Sequence, residues 1–289
     1  MKQARLLALA IITSMFLQAQ GAAQDTSRGQ ENAQALRAEG NRYYDEGQFE
    51  RALVSFRAAI KAKPDYAEAY NDLAMTFAAL GRHAEAIDSL KVAISYKSDF
   101  AVGYSNLAAE YYQIGELDKA VPLLQEAIRL RPEYAQAFNN LGAIYSELGR
   151  PLEAIARYEQ AIRLKPEWAE AHRNLALASY QAGRYKDVFV HLEKAILLKP
   201  GFFEAYNNLG VVHHKAGRYR QAREAFLKAI SIKPDYDDAI YNLGVLQLTQ
   251  RRRDEAIVQY HKLITLNPVL ANALYGGLYK GMILDLRNK

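Results

Sequence analysis

Apolar and polar residues alternate along this chain in two helical stripes that recur every 34 residues. In residues 135–168, Leu141 and Tyr145 fall on one face of a first helix, and Tyr158 and Ile162 fall on one face of a second. Each repeat therefore reads as two short amphipathic α-helices, which we name helix A and helix B. The strict period predicts a stack of repeats rather than one central core.

Helix-terminating residues recur on the same period. A glycine ends helix A in six repeats and Arg251 takes its place in the last, whereas a proline ends helix B in six repeats and Ser98 takes its place in one. Glycine enters the left-handed conformation without steric cost and proline cannot continue a helix, so both predict helix ends. The residues are Gly47, Gly81, Gly115, Gly149, Gly183 and Gly217, and Pro64, Pro132, Pro166, Pro200, Pro234 and Pro268. After the first proline, Asp65 and Glu68 are expected to cap the next helix A.

Seven such repeats run from Ala33 to Leu270, and we number the positions within each from 1. Position 4 is mostly aromatic or large, 7 is mostly Leu, 8 is Gly or Ala, 24 is aromatic or Leu, and 20 and 27 are mostly Ala. The small residues let the two helices approach closely. The repeats are residues 33–66, 67–100, 101–134, 135–168, 169–202, 203–236 and 237–270.

This pattern resembles the tetratricopeptide repeat. The resemblance implies an all-α fold, a right-handed α-solenoid (superhelix) of seven helix-turn-helix units. It also implies that the A helices line a concave groove, and that the groove binds protein or peptide partners.

Residues 1–23 carry two cations, an apolar run of 12 residues and a group of small residues, in that order. The order is typical of a secretory signal, and the run is shorter than the roughly 20 residues that span a bilayer. We therefore expect an exported chain, in the bacterial periplasm or secreted. The alternative is an uncleaved signal that anchors the chain to the inner membrane, which would be its only membrane contact.

The other flanking segments have simpler interpretations. Polar residues 24–32 predict a linker. Residues 271–289 form an amphipathic segment with Leu274, Leu278 and Met282 on one face, which predicts a C-terminal capping helix over the last repeat.

Composition excludes several classes of chemistry. The chain has no Cys, so it has no disulfide, thiol nucleophile or thiolate metal site. Its net charge of +5 would fall to +3 on loss of Lys2 and Arg5 with the signal. Such mild basicity gives no indication of a nucleic-acid partner.

Helix A carries the candidate binding residues, at positions 6 and 12. Position 6 is Asn in five consecutive repeats, and a carboxamide can both donate to and accept from the backbone of an extended peptide. Position 12 is often Tyr or His, which adds area to bury. The alternative is that the Asn side chains only bond a neighbouring helix. The candidate partner-binding residues are Tyr44, Asn106, Tyr112, Asn140, Asn174, Tyr180, Asn208, His214 and Asn242.

A narrower interpretation concerns the first repeats. Arg37 and Asn41 resemble the start of a five-residue clamp with which some members of this family hold the C-terminal carboxylate of heat-shock chaperones. Asp72, Val102 and Asn106 depart from the rest of that clamp, and Asp72 would repel a carboxylate. The sequence therefore favours an ordinary first repeat.

The residues give no sign of catalysis. No P-loop, dinucleotide-binding glycine motif, nucleophile elbow or H-E-x-x-H motif occurs. His172 and His213 fall at packing positions and read as core substitutions, whereas His83, His191 and His261 are expected on exposed helix turns. We therefore predict no catalytic residue, cofactor or metal site, and a protein that is not an enzyme.

Three functional classes remain open. The favoured one is an exported scaffold that binds protein or peptide partners in its groove. The second is a module that binds glycan or another envelope polymer, with Tyr44, Tyr112 and Tyr180 as stacking platforms. The third is an enzyme with an unrecognised site.

Overall fold

A computed structural model describes residues 29–287, and these form fifteen consecutive α-helices with no strand among them. Helices A and B alternate, so the predicted all-α repeat fold is confirmed. The first helix, α1, spans residues 29–45. The others are α2 Phe49–Ala62, α3 Ala67–Ala79, α4 His83–Tyr96, α5 Ala101–Gln113, α6 Leu117–Leu130, α7 Ala135–Glu147, α8 Pro151–Leu164, α9 Ala169–Gln181, α10 Tyr185–Leu198, α11 Phe203–Lys215, α12 Tyr219–Ile232, α13 Asp237–Thr249, α14 Arg253–Leu266 and α15 Pro268–Arg287.

The described residues divide into two compact units between Asn140 and Leu141, inside α7. In the N-terminal unit, Phe56, Leu73 and Leu90 belong to one buried apolar cluster contributed by successive helices. The C-terminal unit contains separate clusters of the same kind along its repeats. Burial is thus shared between neighbouring helices, as expected for repeats.

Glycine ends helix A through a left-handed turn, as the sequence predicts. The six glycines at position 15 have φ between 68° and 79°, and Arg251 has φ 60° at the same position. In the first repeat, the N–H of Gly47 donates to the carbonyl of Tyr44 at 2.9 Å, and the N–H of Gln48 donates to the carbonyl of Tyr43 at 2.8 Å. These bonds satisfy carbonyls that the helix end would otherwise leave without a donor.

In three repeats, a glycine at position 8 of helix A faces the aromatic ring at position 24 of helix B, whereas in the last repeat Gly244 faces Leu274 of α15. A methyl group added at Gly40 would lie 2.5 Å from the ring of Phe56, and one added at Gly210 would lie 2.5 Å from the ring of Phe226. Glycine accompanies every aromatic residue at position 24, and alanine accompanies every leucine there. The pairs are Gly40/Phe56, Ala74/Leu90, Ala108/Leu124, Gly142/Tyr158, Ala176/Leu192, Gly210/Phe226 and Gly244/Tyr260.

A β-turn joins each of the first six repeats to the next. After α2, Lys63 is extended, Pro64 follows in the second turn position, and the N–H of Tyr66 donates to the carbonyl of Lys63 at 3.2 Å. The junction that has Ser98 keeps this geometry, because Lys97 has φ −135° and ψ 88° against −139° and 93° for Lys63. Proline therefore suits the turn without being required for it.

The same turns carry a cation–π contact that the sequence interpretation missed. In each of the first six repeats, a Lys or Arg at position 31 lies 4.6–5.8 Å from the ring centroid of the aromatic residue at position 34. Such contacts are worth about 0.5–1 kcal/mol each at exposed sites. The pairs are Lys63/Tyr66, Lys97/Phe100, Arg131/Tyr134, Lys165/Trp168, Lys199/Phe202 and Lys233/Tyr236.

The expected capping of α3 by Asp65 and Glu68 is wrong. The N-cap residue is Tyr66, and its side chain makes no capping hydrogen bond. Asp65 belongs to the β-turn, where its backbone carbonyl accepts the N–H of Ala67 at 2.9 Å. The Glu68 carboxylate lies 2.6 Å from the Nζ atom of Lys97.

The first helix begins earlier than the repeat pattern. α1 starts at residue 29, inside the segment 24–32 interpreted as a linker. The reason is packing: Ala33 is fully buried in a cluster with Ala59 and Ala69, which favours helix on both sides of it. The signal predicted for residues 1–23 lies outside the described residues.

The last helix begins at Pro268 rather than at the predicted Ala271. Asn267 replaces the usual cation at position 31 and caps this helix, because its Oδ1 accepts the N–H of Leu270 at 3.2 Å. Its Nδ2 donates to Asp237 at 2.7 Å. Buried side chains of α15 then cover the apolar face of the last repeat; they are Ala271, Leu274 and Leu278.

We predict that Arg251→Gly raises the melting temperature (Tm) by about 1–2 °C. Glycine relieves roughly 1 kcal/mol of left-handed strain, of which its greater freedom in the unfolded chain offsets part. Thermal unfolding followed by circular dichroism measures the change. The matched control is Gly183→Ala, which has φ 74° and open space around the added methyl and should lower Tm. A lower Tm for Arg251→Gly would contradict the prediction.

Candidate functional site

Consecutive A helices contact each other through positions 5 and 6. In the N-terminal unit, the Nδ2 atom of Asn106 donates to the Oδ1 atom of Asn71 at 2.8 Å, and in the C-terminal unit Asn242 donates to Asn207 at 3.0 Å. The position-5 partners, Asn71 and Asn207, are buried. We call the surface made by positions 6, 9, 12 and 13 of the A helices the A-face. Each compact unit has its own.

All nine candidate residues are half-buried on the A-face, so each keeps part of its surface open to a partner. They divide between the two compact units. The N-terminal unit carries Tyr44, Asn106, Tyr112 and Asn140, and the C-terminal unit carries Asn174, Tyr180, Asn208, His214 and Asn242.

The Asn side chains at position 6 do not form one uniform ladder. The amide N–H groups of Asn106 and Asn242 are bonded to the preceding A helix, as the alternative interpretation expects. Asn140 instead accepts a hydrogen bond from Gln136 of its own helix at 2.8 Å. For Asn106 and Asn242, the helix-bonding role is therefore the one that the geometry supports.

Asn208 is the exception. Its Nδ2 atom is shielded from solvent and has no acceptor among the described residues. At position 5 of the preceding repeat, where Asn71 and Asn207 supply an acceptor to the next A helix, the chain here has Arg173, and a guanidinium has donors but no acceptor. A buried donor left without an acceptor costs about 1–3 kcal/mol. A carbonyl group supplied from outside would remove that cost.

A cavity of about 120 Å³ adjoins Asn208. Leu177 and Val211, both at position 9, and Tyr180, at position 12, contribute to its wall. The shielded amide therefore lies beside apolar surface, which is the combination that holds an extended peptide. The sequence interpretation named Asn208 and Tyr180 but missed the role of Arg173.

Aromatic residues at position 12 pack against position 17, at the start of helix B. Tyr44 meets the ring of Phe49 at 5.4 Å, and Tyr180 meets the ring of Tyr185 at 5.6 Å, both edge to face. His214 packs on Tyr219 in the same way at 5.9 Å. These contacts fix the rings in place, so a bound partner would not have to order them.

The first repeats do not offer a carboxylate clamp. The Arg37 guanidinium forms an ion pair with the carboxylate of Asp72. Arg37 therefore already has its anionic partner, and the sequence-based preference for an ordinary first repeat agrees with this geometry.

Two family models match the chain. One, described as "Cilia and flagella-associated protein 70 C-terminal domain", is a tetratricopeptide repeat model and matches residues 1–240, and another, described as "Tetratricopeptide repeat", matches residues 214–275. The chain belongs to the tetratricopeptide repeat (TPR) family. No curated protein matches this TPR chain at a significant level.

Solved TPR structures share the fold. MamA is 29% identical, with a TM-score of 0.51 over 56% of this chain and 94% of MamA. A TPR protein from Parabacteroides merdae ATCC 43184 is 18% identical, with a TM-score of 0.68 over 86% of this chain and 99% of that one. YrrB, described as a TPR protein with an unusual peptide-binding site, is 24% identical, with a TM-score of 0.51 over 65% of this chain and 97% of YrrB.

Neither metal-binding nor membrane-spanning features occur in the part of the TPR chain that the structure describes. Within it, no three His, Asp or Glu side chains gather as potential metal ligands. None of its helices combines the length and apolarity of a membrane span.

The fifth repeat contains a histidine pair that the sequence interpretation missed. His172 is buried at position 4, as expected, but His191 is half-buried against it rather than exposed, and their Nδ1 atoms are 3.2 Å apart. The Nε2 atom of His172 lies 3.0 Å from the carbonyl oxygen of Pro166, so Nε2 carries its proton. In the neutral pair, Nδ1 of His191 therefore donates to Nδ1 of His172.

The other histidines also differ in part from expectation. His83 is half-buried and contacts the buried carboxylate of Glu110 at 2.9 Å, so its assignment to an exposed turn is wrong. His213 is half-buried, with its ring 5.0 Å from that of Phe189. His261 is exposed, as predicted.

Acid should destabilise the histidine pair. Burial lowers the pKa of His172, and the Lys194 ammonium lowers it further against the opposing Pro166 carbonyl. Burial and the His172 ring lower the pKa of His191, with Asp187 opposing. Because both folded-state values lie below the unfolded value of about 6.5, the unfolded chain binds more protons in acid. Their stabilisation is therefore complete above pH of about 6.5 and is lost as the pH falls through the folded-state pKa values.

We predict that the Tm of His172→Phe falls less than the Tm of the wild type between pH 7.5 and pH 5.5. Phenylalanine is chosen because the fourth repeat has Phe138 at the same position, 4. Thermal unfolding at both pH values measures the two losses. The control variant His261→Gln should lose as much Tm as the wild type. An equal loss for His172→Phe and the wild type would contradict the prediction.

Proposed function

We propose that this TPR chain is a non-enzymatic scaffold that binds an extended peptide segment of a partner protein along the A-face of its C-terminal unit. The observation that carries the proposal is the Asn208 amide, a shielded donor without an acceptor, beside a cavity walled by Leu177 and Tyr180. A peptide carbonyl supplies the missing acceptor, and an apolar side chain of the peptide covers the cavity.

The family supports this proposal. TPR repeats serve as protein-interaction modules, and YrrB, which has the same fold, is described as having a peptide-binding site. The half-buried, pre-packed rings at position 12 suit a surface that binds without reordering. The glycan-binding alternative has no comparable support, since Tyr44 and Tyr180 are packed edge to face against neighbouring rings.

We also propose that the chain acts outside the cytoplasm, because residues 1–23 have the order of a secretory signal. The partner is then another envelope or secreted protein. Fractionation of cells that express the full chain with a C-terminal tag tests this location. Tagged protein found only with the cytoplasmic fraction would contradict it.

A random peptide library displayed on phage, selected on the purified chain, tests the binding proposal. Selected peptides should lose about three- to tenfold in affinity for Asn208→Ala, because one buried hydrogen bond is worth about 1 kcal/mol. Fluorescence anisotropy of the labelled peptides measures the dissociation constants.

The control variant is Val190→Ala, on helix B, where the side chain is 61% exposed. It should bind the selected peptides as the wild type does. Failure to select any peptide, or peptides that lose affinity for Val190→Ala and not for Asn208→Ala, would contradict binding on the A-face.

A further inference from the structure

A larger pocket, of about 530 Å³, lies within the C-terminal unit where the fifth repeat meets the sixth. Its volume falls in the range of ligand-binding sites, about 300–1,000 Å³. Its wall combines three aromatic rings with three cationic side chains, and no carboxylate is among the described residues that line it. These six residues are Tyr180, Tyr185, Phe189, Lys186, Lys215 and Arg218.

The aromatic part of the wall reflects a change in the fifth repeat. Position 11 is Tyr or Phe in the first four repeats but Ser179 here, and position 21 is Phe189 where other repeats have an aliphatic residue or Arg. The Phe189 ring contacts His213 of the next repeat, and the Tyr180 ring contacts Tyr185. The three rings of the wall therefore all belong to the fifth repeat, and the sixth repeat adds the apolar side chains of Val212 and Ala216.

The cations of this pocket have no carboxylate partner among the described residues. In three other repeats, the arginine at position 16 forms an ion pair with a glutamate at position 19, namely Arg82–Glu85, Arg150–Glu153 and Arg252–Glu255. The sixth repeat has Gln221 at position 19, and Arg218 lies 5.0 Å from the centroid of the Phe189 ring instead. Among the described side chains, neither Arg218 nor Lys186 nor Lys215 pairs with a carboxylate.

We propose that this pocket binds an acidic peptide segment in which carboxylates flank an aromatic residue. The ring of the peptide packs on Tyr180 and Tyr185, and its carboxylates pair with Arg218 and Lys215. Charge complementarity favours this occupant, because three cations without carboxylate partners surround an apolar wall. The inference rests on the proposed function: the pocket shares Tyr180 and Val212 with the cavity beside Asn208.

The test uses the whole chain and the blocked pentapeptide acetyl-Glu-Glu-Phe-Glu-Glu-amide, with isothermal titration calorimetry as the measurement. The comparison peptide replaces each Glu by Lys. The acidic peptide should bind at least about tenfold more tightly than the lysine peptide, and added salt should reduce the difference. Equal affinities for the two peptides would overturn the inference.

Two variants test whether the preference for the acidic peptide arises at this pocket. Gln221→Glu restores the glutamate found at position 19 of three other repeats, and it should weaken binding of the acidic peptide about fivefold by neutralising Arg218. Arg218→Gln should weaken it about tenfold. The matched control, Arg150→Gln, removes the same charge from the fourth repeat and should bind as the wild type does. Unchanged binding by both pocket variants would overturn the inference.

The variant Asn208→Ala distinguishes failure of the pocket inference from failure of the proposed function. If the library-selected peptides lose affinity for Asn208→Ala while Arg218→Gln leaves the acidic preference intact, only the pocket inference fails. If Asn208→Ala has no effect on those peptides while Arg218→Gln abolishes the acidic preference, binding through Asn208 fails and the pocket alone holds the peptide.

Discussion

One size constraint recurs along the chain, between position 8 of helix A and position 24 of helix B, and in three repeats the glycine at position 8 lies directly against the ring at position 24. The space between the two backbones holds one side chain of limited size, because protein interiors are close-packed. Where helix B supplies Phe226, helix A supplies Gly210; where helix B supplies Leu90, helix A supplies Ala74. A larger side chain at position 24 is thus accompanied by a smaller one at position 8, so the combined size of the two side chains varies little although the sequences differ.

The same spacing prepares the binding surface. Position 6 of an A helix contacts position 5 of the preceding one in three places, namely Asp72 with Arg37, Asn106 with Asn71 and Asn242 with Asn207. Where position 5 is Asn71, its side-chain carbonyl accepts an N–H of the Asn106 side-chain amide, so that donor is already bonded within the fold. Where position 5 is Arg173, no acceptor is present, and Asn208 keeps a donor for a partner. The residue at position 5 therefore distinguishes a position-6 amide that is bonded within the fold from one that is a candidate for binding a partner.

The sequence predicted the repeats well because their terminators act locally. The left-handed conformation of Arg251 agrees with its place at position 15, where the other six repeats have glycine, since that turn is decided by a few consecutive residues. The cap expected of Asp65 was wrong, because the β-turn that takes this residue was not recognised. The prediction that His191 is exposed was wrong too, because its burial depends on the contact with His172 of helix A in the same repeat.

The candidate site was harder to predict for a physical reason. Asn208 differs from Asn242 in the residue at position 5 of the preceding repeat, Arg173 against Asn207, and that residue lies 35 residues earlier in the chain. The charge of Arg218 is unpaired because Gln221 replaces a glutamate, which the repeat alignment could have revealed. The pocket that makes this charge useful is built from two repeats, and only the three-dimensional arrangement places the rings of the fifth repeat beside Lys215 and Arg218 of the sixth.

The most direct measurement is a double-mutant cycle on Gly210→Ala and Phe226→Leu, with urea unfolding followed by circular dichroism. Gly210→Ala alone should destabilise the fold by about 1–3 kcal/mol through overpacking, although alanine favours helix by about 1 kcal/mol. The double variant recreates the Ala/Leu pairing of other repeats and should recover most of that loss. Gly276→Ala, where the added methyl meets no atom within 4 Å, should stabilise. Additive losses in the cycle would contradict the account.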